Sequence, residues 1–345
     1  MRRRRSVVVA LAMAAVVAAG WLVAMLASPS RPPVSVPAST TSITSTTQTT
    51  TAITLTTTAG PPGSPFTGLP APAAPVLAIK IDNVRPARPQ LGLAAADLVY
   101  VEPVEGGLSR LLAVFSSRLP DAVGPVRSVR ETDLGLLWQF GRPALAYSGS
   151  APELLPQLAA APVVNVSPAQ APHAFFRDPA RRAPHNVYAH PAQLLTAAPD
   201  ASLAPDIGLR FGDPPAGGSP VAHAVASYPA AELTFDWSAA DGRWLVGADG
   251  APLVAAEGGQ LGAPTVVLQS VAVRPSHISD ALGNVSPYAE TVGSGAAQVL
   301  RDGASFQARW SRPTPGSGTT FTLPDGRPCT FARGPVWLVL VPTAQ

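Results

Sequence analysis

An uncharged apolar run from Val7 to Ala27, directly behind Arg2-Arg3-Arg4-Arg5, divides this chain before any fold is considered. As a helix the run is about 31 Å long at 1.5 Å per residue, enough for a hydrocarbon core of about 30 Å. The four arginines hold the N-terminus on the cytoplasmic side, so everything after Ser28 is expected outside. A cleaved export signal competes with this reading, but its apolar region usually spans only about 7–15 residues. Met25 also stands where a cleavage site after Ala27 prefers a small side chain. The expectation is a signal anchor over residues 1–27, single-pass, with an extracytoplasmic body.

From Ser28 the composition changes. Thr40 to Thr58 is nearly all Thr and Ser, flanked by Pro32, Pro33, Pro37, Pro61 and Pro62. No periodic apolar face is present to offset the entropy of ordering, so residues 28–64 read as a disordered stalk, either O-glycosylated or a plain linker. What remains is long enough for two domains, expected at 65–212 and 219–345 with a Gly/Pro/Ser-rich break from Phe211 to Pro220.

Charge and cysteine content remove several classes. The formal net charge is +3, but Arg2 to Arg5 account for the excess and the body is close to neutral, so nucleic acid is not an expected partner. The one cysteine, Cys329, excludes a disulfide framework and a cysteine cluster for zinc or iron–sulfur. His173, His185 and His190 follow no metal-binding spacing, and no nucleophile elbow, Walker loop or dinucleotide fingerprint occurs. No cofactor is expected.

The pattern along the body is α+β. Strands are expected at Val76–Ile81, Leu98–Val104 and Leu111–Phe115. Helices are expected at Glu131–Phe140 (Leu134, Leu137 and Trp138 on one face), Pro152–Ala160 and Pro191–Ala197. The remainder reads as strands at Leu233–Trp237, Arg243–Val246, Thr265–Val273, Ala297–Leu300 and Val336–Val341. Asp-Gly pairs at 241–242, 249–250, 302–303 and 325–326 mark their turns. Trp237, Trp244, Trp310 and Trp337 fit a β core better than a sugar-stacking row, and Gly293-Ser294-Gly295 reads as a bulge or turn.

Polar residues crowd at four places. Asp82 and Asn83 end the first strand, with Arg88 and Gln90 behind them; they are turn formers or ligand groups at a strand's C-terminal edge. Glu102, Glu105 and Arg110 flank Gly106-Gly107, a hairpin that pairs one of the carboxylates with Arg110 or presents two carboxylates as acid and base. Arg127, Ser128 and Arg130 precede a helix that Ser128 and Glu131 are expected to cap, and guanidinium groups there call for a negative partner, internal or bound. Arg177, Arg181, Arg182, His185 and Asn186 form a loop without apolar periodicity. His185 is either a general base or a plain hydrogen-bonding group.

Several of these motifs occur together in order: Phe66-Thr67-Gly68-Leu69, Ile81-Asp82-Asn83, Arg88-Pro89-Gln90, Ala96-Asp97-Leu98-Val99-Tyr100, Val104-Glu105-Gly106-Gly107, Gly124-Pro125-Val126-Arg127-Ser128-Val129-Arg130 and Ala183-Pro184-His185-Asn186-Val187-Tyr188. The chain in this respect resembles the YerB-like family of bacterial envelope lipoproteins and membrane-anchored proteins, across residues 65 to 345. The resemblance implies an N-terminal layered α/β domain, a smaller β-rich C-terminal domain and a domain of unknown function in both parts. It implies no established reaction. Many relatives carry a lipid-bearing cysteine after the signal, which is missing here. The resulting expectation is a non-enzymatic envelope binding or scaffold protein with an anion cleft built from Asp82, Asn83, Arg88, Arg110, Arg127, Ser128, Arg130, Arg177, His185 and Asn186. Its partner would be an anionic wall polymer or an envelope protein. The alternative is a cell-wall hydrolase or transferase using Glu102, Glu105 and His185.

Overall fold

A computed structural model describes residues 63–280 and 282–343. The expected anchor at residues 7–27 and nearly all of the stalk lie outside the described residues. Among the described residues no helix is long and apolar enough to cross a membrane.

The N-terminal half supplies β1 (Leu77–Asp82), β2 (Leu98–Pro103), β3 (Ser109–Phe115), β4 (Ala144–Ala146) and β5 (Val164–Asn165). Its helices are short: α1 (Glu131–Leu137), α2 (Leu155–Ala160) and α3 (Pro191–Thr196). A separate hairpin pairs β6 (Phe175–Arg177) with β7 (Val187–Ala189). The C-terminal half is all strand. It begins with β8 (Ser219–Pro220), β9 (His223–Tyr228), β10 (Ala231–Ser238), β11 (Arg243–Ala248), β12 (Ala251–Pro252) and β13 (Gly262–Ala263). It ends with β14 (Thr265–Val271), β15 (Val273–Ser279), β16 (Val285–Ala289), β17 (Gly293–Arg301), β18 (Ala304–Arg312), β19 (Thr320–Thr322) and β20 (Val336–Pro342). The chain is mixed α/β and rich in strands.

One eleven-stranded sheet carries the body, in the order β19-β18-β17-β14-β20-β2-β3-β1-β4-β5, with β8 on β18. β20, from the end of the sequence, lies parallel between β14 and β2. A single sheet therefore runs through both halves. β1 and β2 are buried on both faces, which is why they read as near-continuous apolar runs. Leu77, Ile79 and Ile81 face a second sheet, β12-β11-β10-β9, that contributes Phe235, Trp244 and Val246. Ala78, Tyr100, Leu112 and Val114 face Leu134 and Leu137 of α1 and Phe140. Strand alternation places Lys80, Asp82, Glu102 and Arg110 on this α1 side.

Several local expectations shift. Trp138 is exposed, because the helix tightens into a 3-10 turn after Leu137 and swings it outward. Gly293-Ser294-Gly295 opens β17 instead of forming a turn; Gly295 is needed there because a Cβ would lie 2.6 Å from Trp310 Nε1 and 2.9 Å from Ser270 O. Trp244, Trp310 and Trp337 are buried core residues. The Asp-Gly pair at 302–303 turns β17 into β18 with positive φ at both residues, as that turn requires.

Candidate functional site

Lys80 interrupts the apolar run of β1 and points at the N-terminal turn of α1. Its Nζ donates to Glu102 Oε2 and to Asp133 Oδ1, both at 2.7 Å, and all three side chains are fully buried. Burial first, then the charge of Asp133, push the Glu102 carboxyl well above its ordinary value of 4.5, against the opposing pull of Lys80. Its Oε1 has no hydrogen-bond partner. Asp133 Oδ2 accepts the Arg130 backbone N–H at 2.6 Å, so Arg130 is the N-cap of α1 and Asp133 satisfies the helix end. Ser128 is not the cap. Backbone bonds from Val126 N to Val187 O, Arg127 N to Lys80 O and Val129 N to Gly149 O draw residues 126–129 out as an extended segment, and the helix starts only after them.

In the register of the sheet Asp82 and Glu102 both oppose Arg110, so two carboxylates and a guanidinium share a row at the mouth of the α1 face. Arg110 does not take Glu102, which Lys80 occupies. Its Nη2 lies 3.9 Å from Glu105 Oε2 and its Nη1 donates to Ser128 O at 3.3 Å. Glu105 is held by Arg130, with Nε on Oε1 at 2.5 Å and Nη2 on Oε2 at 2.9 Å, and Ser286 Oγ donates to the same Oε1. Burial alone would raise the Glu105 carboxyl; the Arg130 hydrogen bonds and charge, with Ser286 and Arg110, overcome it and hold it below its ordinary value. Asp82 Oδ2 takes His185 Nδ1 at 2.8 Å and lies 3.0 Å from Arg127 Nε. The Arg127 approach is off the hydrogen-bond line, since Nε counts no hydrogen-bond partner, so this is an ion contact. The terminal nitrogens of Arg127 make no hydrogen bond to the described residues.

Arg110, Arg127 and Arg130 line a cavity of about 510 Å³ whose other wall comes from Ala151, Pro152 and the β15–β16 hairpin. Three guanidinium groups thus share two buried carboxylates, Asp82 and Glu105. Arg110 registers the crowding: burial first, then Arg130 and to a lesser extent Arg127, push it down to about 10. Asp280 and Glu153 stand at the rim. Asp280 is committed to its own turn, accepting from Leu282 N, Asn284 N and Asn284 Nδ2.

The other expected site residues lie elsewhere. Asn83 is buried between Ser109 Oγ (3.0 Å) and Gln90 Nε2 (3.1 Å) and lines a separate cavity of about 610 Å³. Arg88 is paired with Asp249 Oδ2 at 2.8 Å and with Asn83 O at 2.6 Å. Arg177 bridges its own hairpin, Nη1 to Asn186 Oδ1 at 2.8 Å, and Arg181 holds Ala87 O and Pro89 O. Only His185 of that loop reaches the cluster, because Asp82 is its partner; Arg177 and Asn186 do not converge on the arginine cavity. Glu102 and Glu105 are each engaged by a cation inside the fold, Lys80 and Arg130. Sequence reasoning missed the pairing of Asp133 with Lys80 and the β15–β16 wall. The one lysine of the chain, set in an apolar strand, was a usable signal for a buried partner. Among the described residues no cluster of His, Cys, Asp and Glu is arranged to hold a metal.

Glu102 gives the body a pH signature. Its folded value is raised, so between pH 4.5 and that value the folded state keeps a proton that the unfolded state has released, and stability falls as pH rises. Glu102→Gln cannot titrate. Its urea midpoint is expected to change less than that of the wild type between pH 5 and pH 8, with the wild type weaker at pH 8.

Comparison with known proteins places this fold. A 55-residue stretch, 16% of this chain, is 49% identical to the Bacillus subtilis protein named "Putative lipoprotein YerB", and it spans 17% of that relative. The crystal structure of YerB from Bacillus subtilis superposes with a TM-score of 0.69 at 23% identity, covering 81% of this chain and 96% of that one; at this identity the likeness is one of fold. Two family models match in sequence order, the N-terminal domain of a protein of unknown function (DUF3048) over residues 66–204 and its C-terminal domain over residues 224–338. With both domains matched over most of its length, the chain belongs to the YerB-like DUF3048 family.

Proposed function

We propose that this chain is an exported, membrane-tethered envelope protein that binds without catalysing, taking an anionic group of a wall polymer against Arg110, Arg127 and Arg130. Tethering rests on the apolar run at residues 7–27 and on the lipoprotein name of the relative. The observation that carries the binding reading is the meeting of Arg110, Arg127 and Arg130 at one cavity, where the terminal nitrogens of Arg127 make no hydrogen bond to the described residues, although Glu153 and Asp280 stand at its rim. A second reading, a wall hydrolase or transferase, is supported by the Asp82–His185 contact, which fixes the ring so that Nε2 is free. Glu102 and Glu105, the carboxylates this reading would use, are each held by a cation, Lys80 and Arg130.

Retention of the full chain on immobilised polyphosphate tests the binding reading. The wild type and Arg177→Ala are expected to be retained at low salt and released as salt is raised, because the contact is partly exposed and screened over about 8–10 Å. Arg127→Gln is expected to pass through. Absence of wild-type retention even at low salt overturns the reading.

A further inference from the structure

The wall opposite the arginines is mixed: Glu153 and Asp280 stand at its rim, with apolar side chains beside them. Pro152 is exposed there, Ile278 closes the floor of the β15–β16 hairpin, and Leu282 stands 86% exposed at its turn. That turn is well built: Asp280 accepts the N–H groups of Leu282 and Asn284 at 2.9 Å each, and its own carbonyl accepts from Gly283 N. The hairpin is also fixed to the arginine side, through Ser286 on Glu105 and Ser276 on Glu131. Leu282 therefore presents a large apolar side chain to water at the edge of a cavity that Arg110, Arg127 and Arg130 line.

A bare anion uses only one side of this cavity. A ligand that uses both carries its charge at one end and a hydrocarbon segment at the other. We infer that the cavity takes an anionic amphiphile, a phosphate or carboxylate head on Arg110, Arg127 and Arg130 with a single acyl or prenyl-type chain lying over Pro152, Ile278 and Leu282. This rests on the anion-binding reading above and narrows its ligand class. Charge complementarity sets the direction: the head enters toward Arg127 and the chain leaves past Leu282.

The test uses the full chain in phosphatidylcholine nanodiscs, titrated calorimetrically with inorganic phosphate, hexyl phosphate and hexanol, with empty nanodiscs subtracted. Hexyl phosphate is expected to bind at least about tenfold more tightly than phosphate, since several methylene groups leave water, and hexanol is expected to bind weakly. Leu282→Ser removes the apolar side chain of an exposed turn residue without adding charge. It is expected to bring the affinity for hexyl phosphate down toward that of phosphate. Equal affinities of hexyl phosphate and phosphate for the wild type overturn the inference and leave the anion site standing. An unchanged preference in Leu282→Ser overturns it as well. If neither phosphate nor hexyl phosphate binds, the anion site fails and the inference with it.

Discussion

Lys80→Met is expected to destabilise the folded body by about 3–5 kcal/mol, the range for removing one partner from a buried ion pair. Methionine fits the space of the lysine stem, so the loss is electrostatic. Nζ is the shared donor to Glu102 and Asp133 at 2.7 Å from each, and all three side chains are shut off from water. Without it two carboxylates face each other in a low-dielectric site, and Glu102, already raised by burial and by Asp133, is raised further. The sign of the pH dependence follows. Glu102 then holds its proton further above its unfolded value, so the defect shrinks toward pH 5 and grows toward pH 8. Urea unfolding of Lys80→Met at the two pH values measures this, and the double variant with Glu102→Gln is expected to recover part of the loss at pH 8. An equal defect at both pH values means that the ion triad does not control the stability of this face.

The other large effect belongs to the opposite face. Trp244→Ala is expected to lower stability by about 3–5 kcal/mol, as for other large-to-small core changes at aromatic positions. Trp244 is fully buried in β11 between the second sheet and the main sheet, its ring 5.5 Å from that of Trp237. Its Nε1–H is buried without an acceptor. Trp244→Phe gives up volume but also removes that orphan donor, whose burial costs about 1–3 kcal/mol. The phenylalanine variant is therefore expected to lose much less than the alanine variant. Both variants remove the orphan donor, so equal losses from the two substitutions would mean that ring volume does not set the loss.

The framework of this fold was legible where burial is two-sided or where turns carry their own chemistry. β1, β2, β14 and β20 announce themselves as apolar runs, and the Asp-Gly pairs mark the turns after β10, β11 and β17. β9 and β18 escaped because one of their faces is wet and their apolar residues alternate with polar ones. The β15–β16 hairpin escaped for a related reason: Pro275, Ser276 and His277 break any apolar pattern. The candidate site was legible in part. Asp82, Glu105, Arg110, Arg127, Arg130 and His185 do meet, but the sheet register that opposes Asp82 and Glu102 to Arg110 sets that meeting, and register depends on pairing between distant segments. The misplaced cap at Ser128 has the same origin. A local capping rule lost to backbone bonds with Lys80, Gly149 and Val187. Arg177 and Arg88 resembled site residues in composition, yet each is spent on a neighbour, Asn186 and Asp249.

On the proposed binding reading Arg127 serves a ligand more than the fold, and Arg127→Gln isolates that role. The glutamine amide nitrogen falls where Nε stands, 3.0 Å from Asp82, while the two terminal nitrogens that face the cavity disappear. The decisive measurement is thermal unfolding of wild type and Arg127→Gln, each with and without polyphosphate at low salt. A ligand that binds only the folded state raises the transition. Equal midpoints are expected for the two proteins without polyphosphate, and a rise with polyphosphate in the wild type alone. A variant that unfolds markedly lower without polyphosphate, or that keeps the full rise with it, overturns the binding role of Arg127.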